Sequence, residues 1–184
     1  LLYDINALGT GSVANNGNLT FDAVSGSFAT HVSGRGQLNS SNSSNVHLTG
    51  DNSSFTGAIN IDSTSALTVS ETQHVGDAIE IRNANLLRVD NSTDMSLSTV
   101  ISGTGDLIKT SNGTLSLSGT NSYIGDTLLN AGVVAISSDQ NLGHTGNQTI
   151  LDGGELRITA DLTSARNLTL HQNGSVIVDS GVIA

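Results

Sequence analysis

Apolar residues recur along the chain in pairs one position apart. The pairs are Leu19-x-Phe21, Val46-x-Leu48, Ile59-x-Ile61, Leu67-x-Val69, Ile79-x-Ile81, Leu87-x-Val89, Leu115-x-Leu117, Val134-x-Ile136, Leu156-x-Ile158, Leu168-x-Leu170 and Val176-x-Val178. A period of two turns one set of side chains inward and the other outward, the pattern of a half-buried β-strand. The branched aliphatics suit a pleated surface. Between the pairs sit Asn15-Asn16-Gly17, Asn112-Gly113, Asp152-Gly153-Gly154 and Asn173-Gly174, which predict tight corners with positive φ. Helical periodicity is nearly absent. Residues 139–144 read as a short turn or loop, and 161–166 as either one helical turn or the lead-in to a strand.

The alternation itself repeats at long range. Phe28–Leu38 aligns with Leu97–Leu107, so that Gly34 falls on Gly103, 69 positions later. The match continues without a gap, placing Val46, Leu48, Gly50, Asn52 and Ser53 on Leu115, Leu117, Gly119, Asn121 and Ser122. With one residue of slippage, Leu19, Phe21 and Asp22 meet Leu87, Val89 and Asp90, and Phe55-x-Gly57 meets Tyr123-x-Gly125. The duplicated segments cover about 15–69 and 83–136. Strand-sized apolar pairs repeated at this distance mark a stacked solenoid; a hairpin meander has no reason to keep such a period. The expectation is an all-β parallel β-helix over 1–184. Its 69-residue period would divide into three coils of about 23, giving about eight coils and a rod on the order of 40 Å long.

Composition supports a thin core. Apolar residues make up 36% and aromatics 3%, too few for a thick core but enough for a narrow one. Low apolar content with a net charge of −10 is also a signature of disorder, against which the regular pairs argue. Proline is absent, so every strand position has an N–H to donate. Cysteine is absent too, which excludes a disulfide framework and thiolate metal sites. The six basic residues are scattered, which disfavours nucleic acid and anionic membrane surfaces as partners. No secretion signal and no 18-residue apolar run is present, and the chain starts at Leu1. The expectation is a piece whose targeting and anchoring parts lie outside it.

Residues 103–136 combine Gly103-x-Gly105-x-Leu107-x-Lys109, then Gly113-Thr114-Leu115-x-Leu117-x-Gly119-x-Asn121-x-Tyr123-x-Gly125, then Asn130-Ala131-Gly132. This resembles the passenger-associated repeat of bacterial autotransporters. Residues 34–69 resemble a degraded copy that lacks the Lys and the Asn-Ala-Gly. The resemblance implies a right-handed parallel β-helix exported to the cell surface of a Gram-negative bacterium, with its own membrane barrel outside this segment. Passage through a narrow pore gives a reason for avoiding cysteine.

Candidates for chemistry are few. Glycosidic cleavage needs two carboxylates a few ångströms apart, for which Asp77 with Glu80, Asp90 with Asp94, and Asp152 with Glu155 are the available pairs. Asp22 and Asp90 occupy matched positions about three coils apart, too far to cooperate. Asp179-Ser180-Gly181 has the look of a serine-protease tripeptide, but a turn is the expected reading. His31, His47, His74, His144 and His171 form no zinc motif, and His31 and His47 are expected at surface or edge positions. Asp90-Asn91-Ser92-Thr93-Asp94 is a candidate calcium loop, outweighed by an ordinary polar loop. Sequons such as Asn18-Leu19-Thr20, Asn52-Ser53-Ser54, Asn91-Ser92-Thr93 and Asn112-Gly113-Thr114 follow from the abundance of Asn, Ser and Thr. Asn52 and Asn121 are expected to stack inside turns as hydrogen-bonded ladders.

No catalytic, cofactor or metal residue is assigned. The expected function is a surface adhesin acting through extended polar faces, by self-association between cells or by attachment to a host-surface protein or glycan. The alternative is a stalk or folding segment that carries a distal domain. A polysaccharide-active enzyme is a remote third reading.

Overall fold

The computed structural model describes residues 1–183 of the chain. All strand pairings between named strands are parallel. The chain winds round one axis with three sides per coil. Side two runs the full length as an eight-stranded sheet: Ser25–Phe28, Asn45–Leu48, Ala66–Val69, Leu86–Asp90, Asp106–Thr110, Thr127–Leu129, Gln148–Asp152 and Asn167–His171. Side one holds Asn18–Asp22, Gln37–Ser41, Ala58–Ile61, Glu80–Asn83 and Val100–Ser102. Side three holds Met95–Leu97, Thr114–Leu117, Val133–Ile136, Glu155–Ile158 and Ser175–Val178. The expected solenoid of about eight coils is therefore observed.

Two details of the expectation need correction. The coils are shorter than 23 residues: strand register steps 19 residues from Leu19 to Leu38, 20 from Leu87 to Leu107 and 22 from Ile59 to Ile81. A 69-residue period is then three coils plus one side, so each matched strand has moved round the axis. Gln37–Ser41 lies on side one, and its counterpart Asp106–Thr110 on side two. Asn45–Leu48 lies on side two, and its counterpart Thr114–Leu117 on side three. The irregular chain moves with them. In the first half, beyond the parallel pair Ser12–Ala14 and His31–Ser33, it occupies side three, through Phe55 and the 3-10 turn Thr72–His74. In the second it occupies side one, through Tyr123 and the 3-10 turn Asp139–Leu142.

The second correction concerns corners. Gly153 has the predicted positive φ, but at Asn112-Gly113 and Asn173-Gly174 the left-handed residues are Ser111 and Gln172. Gly113 and Gly174 are needed because the coil beneath is too close. A Cβ on Gly113 would lie 2.4 Å from the Thr93 carbonyl oxygen, and one on Gly174 would lie 2.3 Å from that of Leu151.

Inside, aliphatics stack rung on rung around Phe21, Phe28, Phe55 and Tyr123. Phe21 and Phe28 meet edge to face at 4.7 Å. The Ile79-x-Ile81 pair is only half right. Ile79 is 67% exposed, and the strand begins after it, turning Ile81 and Asn83 inward. The 3-10 turn Asp139–Leu142 matches the expected short turn, whereas 161–166 leads into the strand Asn167–His171 without a helical turn. Among the described residues no helix is long and apolar enough to cross a membrane.

Candidate functional site

Three of the carboxylates flagged in the sequence, Asp90, Asp94 and Glu80, are engaged by the fold. Asp90 accepts hydrogen bonds from the hydroxyls of Thr110 (2.8 Å) and Ser111 on the next coil, and these hold its pKa below the usual carboxylate value. Asp94 accepts from the Thr114 N–H at 3.1 Å. Both acids of the candidate calcium loop thus reach along the axis to the coil above. Among the described residues no group of three or more His, Asp or Glu is placed to hold a metal ion. Asp22, the counterpart of Asp90, accepts from the Asn42 amide in the same manner. Glu80 pairs with Arg82 at 2.8 Å and accepts from Ser102, while Asp77 lies exposed past the Thr72–His74 turn. Asp152 ends a strand of side two and Glu155 starts one of side three, with Gly153-Gly154 at the corner between them. Ser180-Gly181 forms the expected turn, and Asp179 is bound by Arg157 at 2.7 Å.

The histidines divide. His31, His144 and His171 are exposed. His47 and His74, 27 positions apart in sequence, are brought to 6.3 Å between ring centroids, and His74 is buried. His74 accepts from the Ser70 N–H at 3.1 Å, and the His47 ring meets the Ser70 hydroxyl at 2.7 Å. Burial, against the opposing pull of Glu71, holds His74 below its ordinary pKa. A serine beside a histidine is half of a nucleophilic constellation. Here Ser70 faces both rings, and its backbone ties the strand end to the Thr72–His74 turn.

Asn52 and Asn121 do not bond to each other. Each bridges backbone groups of neighbouring coils. Asn52 accepts from Val32 N–H (2.8 Å) and donates to the His74 carbonyl (2.7 Å). Asn121 accepts from Ile101 N–H (2.8 Å) and donates to the Asn141 carbonyl (2.6 Å).

Two buried cations went unrecognised in the sequence. Lys109, 1% exposed, turns inward at the end of a strand and donates to the carbonyls of Thr110 (2.5 Å) and Ser111 (2.6 Å). Burial pushes its pKa down to about 8, with Asp90 acting in the opposite direction. Its place in the Gly-x-Gly-x-Leu-x-Lys motif, alternating in register with inward Leu107, was the available signal. Arg166 inserts under the Asp139–Leu142 turn, donating to the Leu142, Gly143 and His144 carbonyls and pairing with Asp139 at 3.2 Å. Nothing in its local sequence sets it apart.

The outward surface of side one carries a continuous polar column. Strand register stacks Thr20, Asn39, Asn60, Arg82 and Ser102. Asn39 donates to Thr20 at 3.2 Å, Asn60 to Asn39 at 2.7 Å and Arg82 to Asn60 at 3.3 Å. Beside this column runs a shallow groove of about 330 Å³ spanning Asn39–Ser41, Asn60–Asp62 and 82–84, and reaching Gly103. Burial acts to raise the pKa of Asp62 at the groove edge. Hydrogen bonds from Ser65, the Thr64 and Asn42 backbone and the Thr64 hydroxyl outweigh it and bring the pKa down to about 2. The amides are fixed along the axis by one another, so their remaining donors and acceptors are pre-set to face a ligand.

Comparison with known proteins adds to this geometry. The passenger-associated-transport-repeat family model matches residues 107–136. The chain is 38% identical over 139 residues to an uncharacterized lipoprotein, YdeK, of Escherichia coli (strain K12), an overlap covering 75% of this chain and 10% of that protein. It is 38% identical over 135 residues to the adhesin BmaC autotransporter of Brucella suis biovar 1 (strain 1330), covering 65% of this chain and 4% of that protein. The chain thus spans a tenth or less of the length of the curated relatives it matches. No solved structure matches it.

Proposed function

We propose that this chain, which is autotransporter passenger sequence, is an adhesive segment that meets its partner through the polar outer surface of side one. The observation that carries this reading is the column Thr20–Asn39–Asn60–Arg82, hydrogen-bonded rung to rung on a rigid support. Similarity to a protein named as an adhesin supports it. The segment acts at the bacterial surface after export. Its partner is a surface molecule of a host or of a neighbouring cell, and the contacts are many, polar and individually weak. The role is binding: of the flagged carboxylates, Asp90 and Asp94 are spent on coil-to-coil hydrogen bonds and Glu80 on Arg82 and Ser102.

A second reading, a stalk that holds a distal domain away from the membrane, is favoured by one observation. Side two stacks eight strands without interruption, and such a continuous rod suits a spacer. One experiment separates the two. Cells displaying the whole passenger are compared with cells carrying an in-frame deletion of this segment, scoring surface level, settling and attachment. Lost attachment at unchanged surface level is the expected result. Lost surface level points to the stalk or folding role, and unchanged attachment overturns the adhesive one.

A further inference from the structure

The groove beside the polar column has a donor and acceptor pattern that selects among ligand classes. After the rung-to-rung bonds, Asn39 and Asn60 each keep one amide N–H and one oxygen lone pair free. A free donor and a free acceptor therefore recur on successive coils, spaced about 4.8 Å along the axis. A hydroxyl group needs that combination, since it gives one hydrogen bond and takes others. Charge narrows the choice further. The one cation in the groove, Arg82, is paired with Glu80 at 2.8 Å. Asp62 stays ionised at any physiological pH. An anionic ligand would face Glu80 and Asp62 with Arg82 already neutralised, so the groove suits an uncharged one. A peptide strand has no edge to join here, because the backbone groups of Gln37–Ser41, Ala58–Ile61 and Glu80–Asn83 are used between neighbouring coils. The apolar side chain exposed among the polar groups is Ala84, since Ile61 is 2% exposed and turned into the core.

We propose that this groove binds a neutral polysaccharide lying along the solenoid axis, with successive sugar rings against successive coils. Ring hydroxyls exchange hydrogen bonds with Asn39 and Asn60, the Arg82 guanidinium donates to a further hydroxyl, and a ring C–H face rests on Ala84. The groove holds no aromatic side chain. Each ring therefore contributes little, and affinity comes from length, as in other repeated weak contacts. This rests on the adhesive reading of the same face and names the class of its partner.

The test is a titration of the isotopically labelled 184-residue chain followed by NMR at the side-chain amides of Asn39 and Asn60 and at Arg82 Nε. The probes are soluble hexasaccharides of glucan, galactan and mannan, with heparin as the acidic control. At least one neutral hexasaccharide is expected to move these resonances, more strongly than its disaccharide does, while heparin leaves them in place. The double variant Asn39→Ala with Asn60→Ala, its fold checked by its backbone amide spectrum, is expected to bind about tenfold more weakly. Asn60→Asp, which removes a donor and adds a charge, serves as a second variant and is also expected to lose binding. The proposal is overturned if no neutral sugar moves these signals, if heparin moves them more, or if both variants bind as well as the parent. Should sugars fail while cells still attach through the segment, the glycan falls and the adhesive reading stands. Should sugars bind while the in-frame deletion attaches normally, the reverse holds.

Discussion

The two copies of the duplicated segment agree inside and differ outside. Inside, matched residues make matched contacts. A Cβ on Gly34 would sit 2.4 Å from the Asn15 carbonyl oxygen, and one on Gly103 would sit 2.1 Å from that of Asn83. Both glycines have positive φ, at 96° and 104°. Asn15 and Asn83 each donate to a carbonyl on the coil above, and Asp22 and Asp90 each cap the turn that follows the strand stacked on them. Outside, the first copy shows Thr20, Asn39 and Asn60, continued by Arg82, while the same column of the second shows Arg88, Ile108 and Leu128, continued by Ile150. The inward residues are fixed by the coil above and the coil below. The outward ones are free to take up separate surface chemistries.

If the corners are equivalent, the same change should do the same damage in each copy. Gly34→Ala and Gly103→Ala both force a Cβ into a carbonyl at a positive φ, and each is expected to cost on the order of 4 kcal/mol in denaturant unfolding. A large effect in one copy alone would show that the corners are not equivalent.

Lys109 probes an inward position at which the copies part. Its counterpart is Ser40, also buried, whose hydroxyl reaches the Ala66 carbonyl. Lys109→Ser removes a buried stem and leaves a cavity, costing about 3 kcal/mol. A pH series adds the sign. The folded-state pKa is about 8 against 10.5 for the free side chain. Stability linked to this amine is therefore fully present above about 10.5 and is lost as pH falls through 8. The parent should gain on a Lys109→Met variant between pH 8 and 10, read as the difference in melting temperature. A constant difference across that window would mean that the amine is not desolvated.

Tyr123 and Phe55 are a subtler pair. Both are buried, but only Tyr123 carries a hydroxyl, bonded to Thr127 at 2.6 Å, and burial pushes its pKa up to about 12. Tyr123→Phe leaves Thr127 unpartnered and should cost about 1.5 kcal/mol. The smallest stability effect is expected on the outside. Asn60→Leu and Leu128→Asn exchange the outer residues of matched positions, and each should stay within about 0.5 kcal/mol of the parent.

Much of this was legible in the sequence because the thin core leaves the period-two signal intact. The strands containing Leu67-x-Val69, Leu87-x-Val89 and Leu115-x-Leu117 fall where the alternation places them. Strands with polar inward positions were not legible. Gln37–Ser41 turns Ser40 inward, and Asp106–Thr110 turns Lys109 inward, so neither contains a simple aliphatic pair. Coil length was misjudged because a sequence period counts residues and not sides. Nothing in the residues alone says that the second copy starts one side further round. The polar column was invisible for a related reason: Asn39, Asn60 and Arg82 lie about twenty residues apart, and only the register of the coils lines them up.

The most direct measurement exchanges the two outer columns on living cells. The passenger is displayed with Asn39→Ile and Asn60→Leu, which give the first copy the outer residues of the second, and attachment is scored at matched surface level. Attachment is expected to fall to that of cells lacking the whole segment. Attachment equal to that of the parent, with the fold intact, would contradict the assignment of binding to this face.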